Sequence, residues 1–192
     1  MAIGTDNQAR ERILNAADEL FYARGVQAVS MDEIRDRSGV PLKRIYAAFP
    51  SKSDLVDAYL TRRDEQWRDA IETWVTRRSD HPREQLLLVF DALHRWTHSQ
   101  PRFRGCAFHN ALGELGGTSR TAAAIVRSNK HHLRAFLERT ARRARLERPG
   151  EVAFQLMLLA EGALVTAAID DDPDAPLRAR AAAQLLIDAS AR

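Results

Sequence analysis

Apolar residues recur at helical spacing early in the chain. Ile13, Ala16, Ala17, Leu20 and Phe21 stand three, four, seven and eight residues apart, so they share one face of a helix that Gly25 ends. A second helix should open at Met31, where the Ser30 hydroxyl can cap free amides and Glu33, three residues on, can bond back to the cap amide. Ser38-Gly39 stops it, because glycine takes the left-handed conformation of a helix end at little steric cost. Pro41 suits the first position of a third helix, since its φ is preset and its missing N–H would have had no partner. That helix runs to about Phe49 and ends at Pro50. On a wheel of about 100° per residue, Leu42, Ile45 and Phe49 fall on one side and Lys43, Arg44 and Ala47 on the other. The three helices should share a core of Ile13, Leu20, Phe21, Ile34, Val40, Ile45 and Phe49.

Ser51 and Asp54 form another capping pair and open a long helix with Leu55, Tyr59, Trp67, Ile71 and Trp74 along one side. Beyond residue 80 the pattern stays helical, without strand alternation or an internal repeat. His81-Pro82 breaks the long helix, Leu86 to Trp96 continues as another, and Pro101 restarts the chain. A short segment from Cys106 to Leu115 ends at Gly116-Gly117, and Thr118 should cap a helix reaching about Leu146. Pro149-Gly150 separates this from Glu151 to Ile169, which is apolar almost all round. The Asp170-Asp171-Asp172-Pro173-Asp174 turn then leads to a last helix through Ala189. The expected fold is all-α, with about nine helices.

Two short helices joined by a glycine turn make a helix-turn-helix, which sets the N-terminal half of its second helix against base edges in the DNA major groove. Arg44 is the first choice for a bidentate contact to guanine, with Lys43 second. Tyr46 lies on the flank, where its phenol would reach a phosphate better than a base. Ala47 offers at most a methyl contact to thymine. Charge agrees locally: between Arg35 and Lys52 there are five basic residues against one acid, whereas residues 1–34 hold three arginines against six acids.

The order and spacing of Ile13-Leu14-x-Ala16-Ala17-x-x-Leu20-Phe21-x-x-x-Gly25, Ser30-Met31-Asp32-Glu33-Ile34, Ser38-Gly39-Val40 and Ile45-Tyr46-x-x-Phe49-Pro50-Ser51-Lys52-x-x-Leu55 resemble the TetR family, the tetracycline-repressor-like transcriptional regulators. The resemblance implies a dimeric repressor, with DNA contacts from Ser30, Leu42, Lys43, Arg44, Tyr46, Ala47 and Lys52. Among these, Tyr46 and Lys52 match phosphate-contacting positions, and residues 42–48 match the recognition helix. It further implies a DNA-binding domain over residues 1–51 and a helical ligand-binding and dimerisation domain over residues 52–192. The chain departs from the usual family pattern at Pro41, commonly Ser or Thr, and at Ala47-Ala48, commonly aromatic or His.

Composition bounds this reading. The 192 residues are 45% hydrophobic, enough for a core, and the formal net charge of +3 excludes a polycation. There is no uninterrupted apolar run of about 18 residues and no basic-apolar leader pattern, so a cytoplasmic protein without a membrane partner is expected. The one cysteine, Cys106, excludes an internal disulfide and a cysteine-based structural zinc site. No cofactor is expected.

The two last helices carry little polar surface and must be covered by their own domain or by a partner chain. Gly162, Ala163, Ala167 and Ala168 on one, and Ala179, Ala181, Ala182 and Ala183 on the other, would let backbones approach. A two-fold homodimer through a four-helix bundle is the natural solution. Trp67, Trp74, Phe90, Trp96, Phe103, Phe108 and Phe154 supply aromatic surface for either a cavity or plain core. The expected effector contacts are Trp67, Trp96, Phe103, Cys106, Phe108, Asn110 and Glu161. Glu161 stands out as a carboxylate in an apolar run, with Arg178 across a dimer as one candidate partner. Cys106, in Arg102-x-Arg104-Gly105-Cys106-x-Phe108-x-Asn110, reads as a buried small hydrophobe or a redox or electrophile sensor. His94 and His98 stand at metal-ligand spacing, with His109 a possible neighbour, but satisfied or exposed histidines are the plainer expectation. A helical metal-dependent enzyme using His94, His98 and Glu161 is the alternative function. Arg120 to Arg148 holds nine basic residues against two acids, read as a solvated helix face.

Overall fold

The computed structural model describes residues 2–99 and 103–191; the expected restart at Pro101 and the Arg102 of the central motif lie outside them. The described residues form nine helices and no strand: α1 (Ala2–Arg24), α2 (Met31–Ser38), α3 (Leu42–Ala48), α4 (Lys52–Thr76), α5 (Pro82–Ser99), α6 (Ala107–Leu115), α7 (Arg120–Arg143), α8 (Pro149–Ile169) and α9 (Ala175–Ala189). They cluster into two compact units, Met1–Glu65 with Ala107–Arg127 and Gln66–Cys106 with Ser128–Arg192.

The first unit contains the three-helix head. Ile13, Phe21, Ile34, Val40, Ile45 and Phe49 are buried at its centre, together with Leu14, Val26 and Val29. Leu20, expected in this core, is only partly covered, whereas Leu14 is buried. The first unit extends along α4 as far as Glu65. The first half of α4 buries Leu55, Val56, Tyr59 and Leu60, and Tyr59 meets Phe21 edge-on with ring centroids 5.5 Å apart. Arg62 donates from Nη2 to the Leu14 carbonyl at 2.8 Å, and Arg63 pairs with Asp18 at 2.5 Å, so this half of α4 is bound to α1 by packing and by charge. The short α6 also joins this unit: Glu114 accepts the Gln27 N–H at 2.8 Å, and the Gln27 side chain donates to the Glu114 carbonyl at 2.7 Å.

Boundaries moved by a residue or more at three helix ends. Pro41 is the cap of α3 rather than its first residue; its backbone is extended (ψ 142°), and its carbonyl accepts the Arg44 and Ile45 amides at 2.9 and 3.1 Å. Ser119, not Thr118, caps α7, its Oγ accepting the Ala122 N–H at 3.1 Å. Helix α7 stops at Arg143 because Arg145 turns left-handed (φ 55°), which carries Leu146 inward to a buried position.

In the second unit α5, α8 and α9 pack together through Leu86, Val89, Phe90 and Leu93 of α5, Leu156, Ala160, Leu164 and Ala167 of α8, and Ala183 and Ile187 of α9. Helix α8 is, by length and composition, apolar enough to cross a membrane (mean hydropathy 1.9 over its most apolar stretch); here one of its sides lies against α5 and α9.

Candidate nucleic-acid and effector sites

The turn that aims α3 is built as its sequence demands. Ser30 and Glu33 complete the capping box: Ser30 Oγ accepts the Glu33 N–H at 3.2 Å, and Glu33 Oε2 accepts the Ser30 N–H at 2.8 Å. Glu33 also pairs with Arg24. These donors, the Ser30 backbone first and Arg24 next, hold the Glu33 carboxyl at about 2, well below the usual carboxylate range. Ser30 Oγ lies 2.9 Å from Glu33 Oε2 as well, so its hydroxyl proton is already engaged within the cap. Gly39 adopts φ 64° and closes α2, donating its N–H to the Arg35 carbonyl at 2.8 Å. A Cβ there would come within 2.6 Å of Arg12 Nη2, which donates to the Ser38 carbonyl at 2.5 Å.

Helix α3 buries Ile45 and turns Lys43, Arg44, Tyr46 and Ala47 outward; Tyr46 is 45% exposed. Leu42 is partly covered, on the border between the two faces. Among the described residues Lys43 has no ion pair, whereas Arg44 Nη2 donates to Asp6 Oδ1 on α1 at 2.8 Å. Arg35 pairs with Asp32 and Asp36, and Arg37 with Glu19. Of the positive charge expected over residues 35–52, Arg35 is therefore met by neighbouring acids and Arg37 and Arg44 by acids distant in sequence. Lys52 lies partly buried, its Nζ 3.4 Å from the Gln27 carbonyl. Burial lowers its pKa, opposed by the charges of Glu114 and Glu33. Arg10 stacks 4.3 Å over the Phe49 ring and braces the end of α3 from α1.

The residues expected to meet an effector divide into separate groups. Trp67 and Trp96 line a cavity of about 220 Å3 in the second unit, with Ala70, Ile71 and Trp74 of α4 and Ala92 and Leu93 of α5. Phe103 stands edge-on to Trp96 at 5.2 Å between centroids. Trp74 joins them although it is not among the expected effector contacts; its Nε1 is buried without a hydrogen-bond acceptor among the described residues, and Arg78 stacks 3.8 Å above its ring. Glu161 and Cys106 belong to a second group. Lys130 Nζ lies 3.0 and 2.9 Å from the two Glu161 oxygens and 3.5 Å from Cys106 Sγ, with both charged side chains less than one fifth exposed. Burial pulls the Lys130 pKa down, but Cys106 and Glu161 outweigh it and leave the ammonium above its ordinary value. Lys130, 31 positions away, is thus a partner of Glu161, and Arg178 pairs with Asp172. Phe108 and Asn110 fall in the first unit, where Phe108 is buried, and Phe90 is plain core.

The histidine pair meets a carboxylate other than the expected one. His94 and His98 face Asp174 at the start of α9, while Glu161 is occupied by Lys130. Helical spacing brought the two histidines together in the sequence; the acid comes from 80 residues away, a distance no local pattern spans. The basic segment is also less free than its composition implies: Arg139 pairs with Glu72, Arg142 with Glu138 and Arg148 with Glu151, and Arg143 donates to Gln85.

Comparison with known proteins matches this arrangement. One curated relative is the HTH-type transcriptional activator FasR of Mycolicibacterium smegmatis, 45% identical over 56 residues. That is 29% of this chain and 26% of FasR, so the chain spans about a quarter of that relative. A TetR-family transcriptional regulator from Streptomyces coelicolor superposes with a TM-score of 0.86 at 24% identity, over 97% of both chains. A TetR-type regulator structure from Streptomyces avermitilis gives 0.81 at 28% identity, over 95% of this chain and 97% of that one. Residues 13–59 match the family described as bacterial regulatory proteins, tetR family, and residues 82–183 match the tetracyclin repressor-like C-terminal domain. The chain belongs to the TetR family of bacterial regulatory proteins.

Proposed function

We propose that the protein is a cytoplasmic, ligand-responsive DNA-binding transcriptional regulator, a homodimeric repressor that leaves a palindromic operator when a small molecule binds. The single observation that carries the reading is the outward set Lys43, Arg44, Tyr46 and Ala47 on a short helix braced from behind by Ile45 and Phe49. Side chains at those positions have the reach for base edges, and Ser30 and Lys52 flank them for backbone contacts. Catalysis has no part in this reading.

Dimerisation is supported by an apolar stripe on α8, where Phe154, Leu158, Val165 and Ile169 stand exposed at helical spacing, joined on α9 by Leu177 and Leu185; Leu158, Ile169 and Leu185 are 56, 76 and 72% exposed. A second copy covering this face would explain why helices so poor in charge end on the surface. The effector cavity is the one lined by Trp67, Trp74 and Trp96. Its size and its tryptophan lining suit a compact, flat apolar molecule. Because α4 carries this cavity on its second half and begins directly after α3, an effector that prefers one setting of α4 would change the spacing of the paired reading heads.

Selection of bound fragments from random DNA by the purified full chain tests the proposal. The expected product is a two-fold symmetric site with half-sites about 34–36 Å apart or a multiple of that. Recovery of no enriched sequence would overturn it.

A further inference from the structure

We propose that His94, His98 and Asp174 form a binding site for a divalent cation of the zinc class. The site is distinct from the tryptophan cavity and independent of whether the protein reads DNA. One ligand atom from each residue lies within 4.8 Å of the other two. His94 Nε2 stands 2.9 Å and His98 Nε2 3.4 Å from the same Asp174 oxygen. Bond lengths of about 2.0–2.2 Å to a tetrahedral zinc place its ligand atoms roughly 3.3 Å apart, so only small side-chain rotations are needed.

The orientation of His98 suits a cation site. Its Nδ1 lies 3.1 Å from the His94 carbonyl, an acceptor only, so Nδ1 is the donor and Nε2 is the nitrogen turned toward Asp174. A carbonyl-held imidazole is how proteins orient a histidine toward a metal.

The frame around the cluster is built rather than incidental. Buried Thr97 Oγ1 lies 2.7 Å from the His94 carbonyl and 2.8 Å from the Pro173 carbonyl, tying the last turn of α5 to the residue before Asp174. Asp172 accepts the Asp174 N–H at 3.1 Å and pairs with Arg178. The C-terminal end of α5 adds the negative end of its dipole. Two imidazoles and one carboxylate favour zinc, cobalt or nickel over the all-oxygen preferences of magnesium and calcium. A fourth position is left for water, as in exchangeable sites.

The test uses the full chain purified without a histidine tag, stripped with chelator and titrated with Co2+ alone, then with Zn2+. One equivalent of Co2+ should develop visible ligand-field bands of a four-coordinate ion, and Zn2+ should displace it with a Kd of about 1 µM or tighter. His98→Gln, which leaves the His94–Asp174 contact in place, and Asp174→Asn should each weaken Zn2+ binding at least about tenfold. His131→Gln, at an exposed position on α7, should not change it. Circular dichroism melts of each apo variant show whether the fold is kept. Absence of saturable one-to-one binding would overturn the proposal and leave the cluster a histidine–aspartate contact at the start of α9. Binding that survives in both His98→Gln and Asp174→Asn would overturn it equally.

Discussion

Asp6, near the start of α1, accepts a hydrogen bond from Arg44 at 2.8 Å and holds the main candidate for base contact in the unbound protein. Both side chains are well exposed, so the pair is worth at most about 1 kcal/mol and must open for Arg44 to reach a base. Asp6→Ala should therefore raise operator affinity by up to about fivefold at low salt, an effect that fades as salt screens the charges. Fluorescence anisotropy on a selected operator measures this; weaker binding by the variant would make Asp6 a positioning partner of Arg44 rather than its competitor.

Arg44 and Tyr46 should separate specificity from affinity. Arg44→Ala should cost about 1–3 kcal/mol and relax preference at one base pair, whereas Tyr46→Phe should weaken all sequences alike. Competition binding with an operator and its single-base variants reads both. Unchanged selectivity in the Arg44 variant would remove it from the base-reading set.

The pairing of Glu33 with Ser30 predicts an acid-side loss of stability. The folded carboxyl titrates at about 2, below its unfolded value near 4.5, so the native state favours the ionised form. Its contribution is fully present above about pH 4.5 and disappears as pH falls toward 2. Thermal melts of wild type and Glu33→Gln should differ at pH 6 and converge between about pH 4.5 and 2. A gap that stays constant through that range would assign the effect to shape rather than charge.

Gly39→Ala should destabilise the protein by about 1–2 kcal/mol or more. The position is left-handed, and the new methyl would displace the Arg12 guanidinium from the Ser38 carbonyl. Chemical denaturation gives the size. The same variant should lose DNA affinity, because this turn sets the angle of α3.

Lys130→Met removes the ion pair with Glu161 at a place where both side chains are less than one fifth exposed, and should destabilise the protein. The loss should be smaller when Glu161→Gln is added, because the two side chains interact directly. Urea unfolding of the two single variants and the double variant measures the coupling; strictly additive losses would mean that the pair contributes nothing to stability.

How much was legible in the chain itself follows from the range of each interaction. Helix starts and stops depend on a few adjacent residues, so the Ser30–Glu33 box, the left-handed Gly39 and the outward Lys43 and Arg44 were readable one residue at a time. Where two neighbours offered the same chemistry, as with Thr118 and Ser119 or with Pro41 as cap or first turn, local rules left the choice to packing.

Partners far along the chain were decided only by the folded structure. The six acids before residue 35 and the five bases from Arg35 to Lys52 read as two separate charges, yet folding pairs Asp6 with Arg44 and Glu19 with Arg37. Likewise Glu161 finds Lys130 rather than Arg178, and Asp174 rather than Glu161 meets His94 and His98. Compactness is of the same kind: a helix announces its own beginning at Lys52, but which compact unit its first half packs into depends on the buried contacts of Leu55, Tyr59 and Leu60. Caps and periodicity are properties of a turn or two of backbone and are written locally; charge pairing and domain membership depend on separations in space, which sequence distance does not encode.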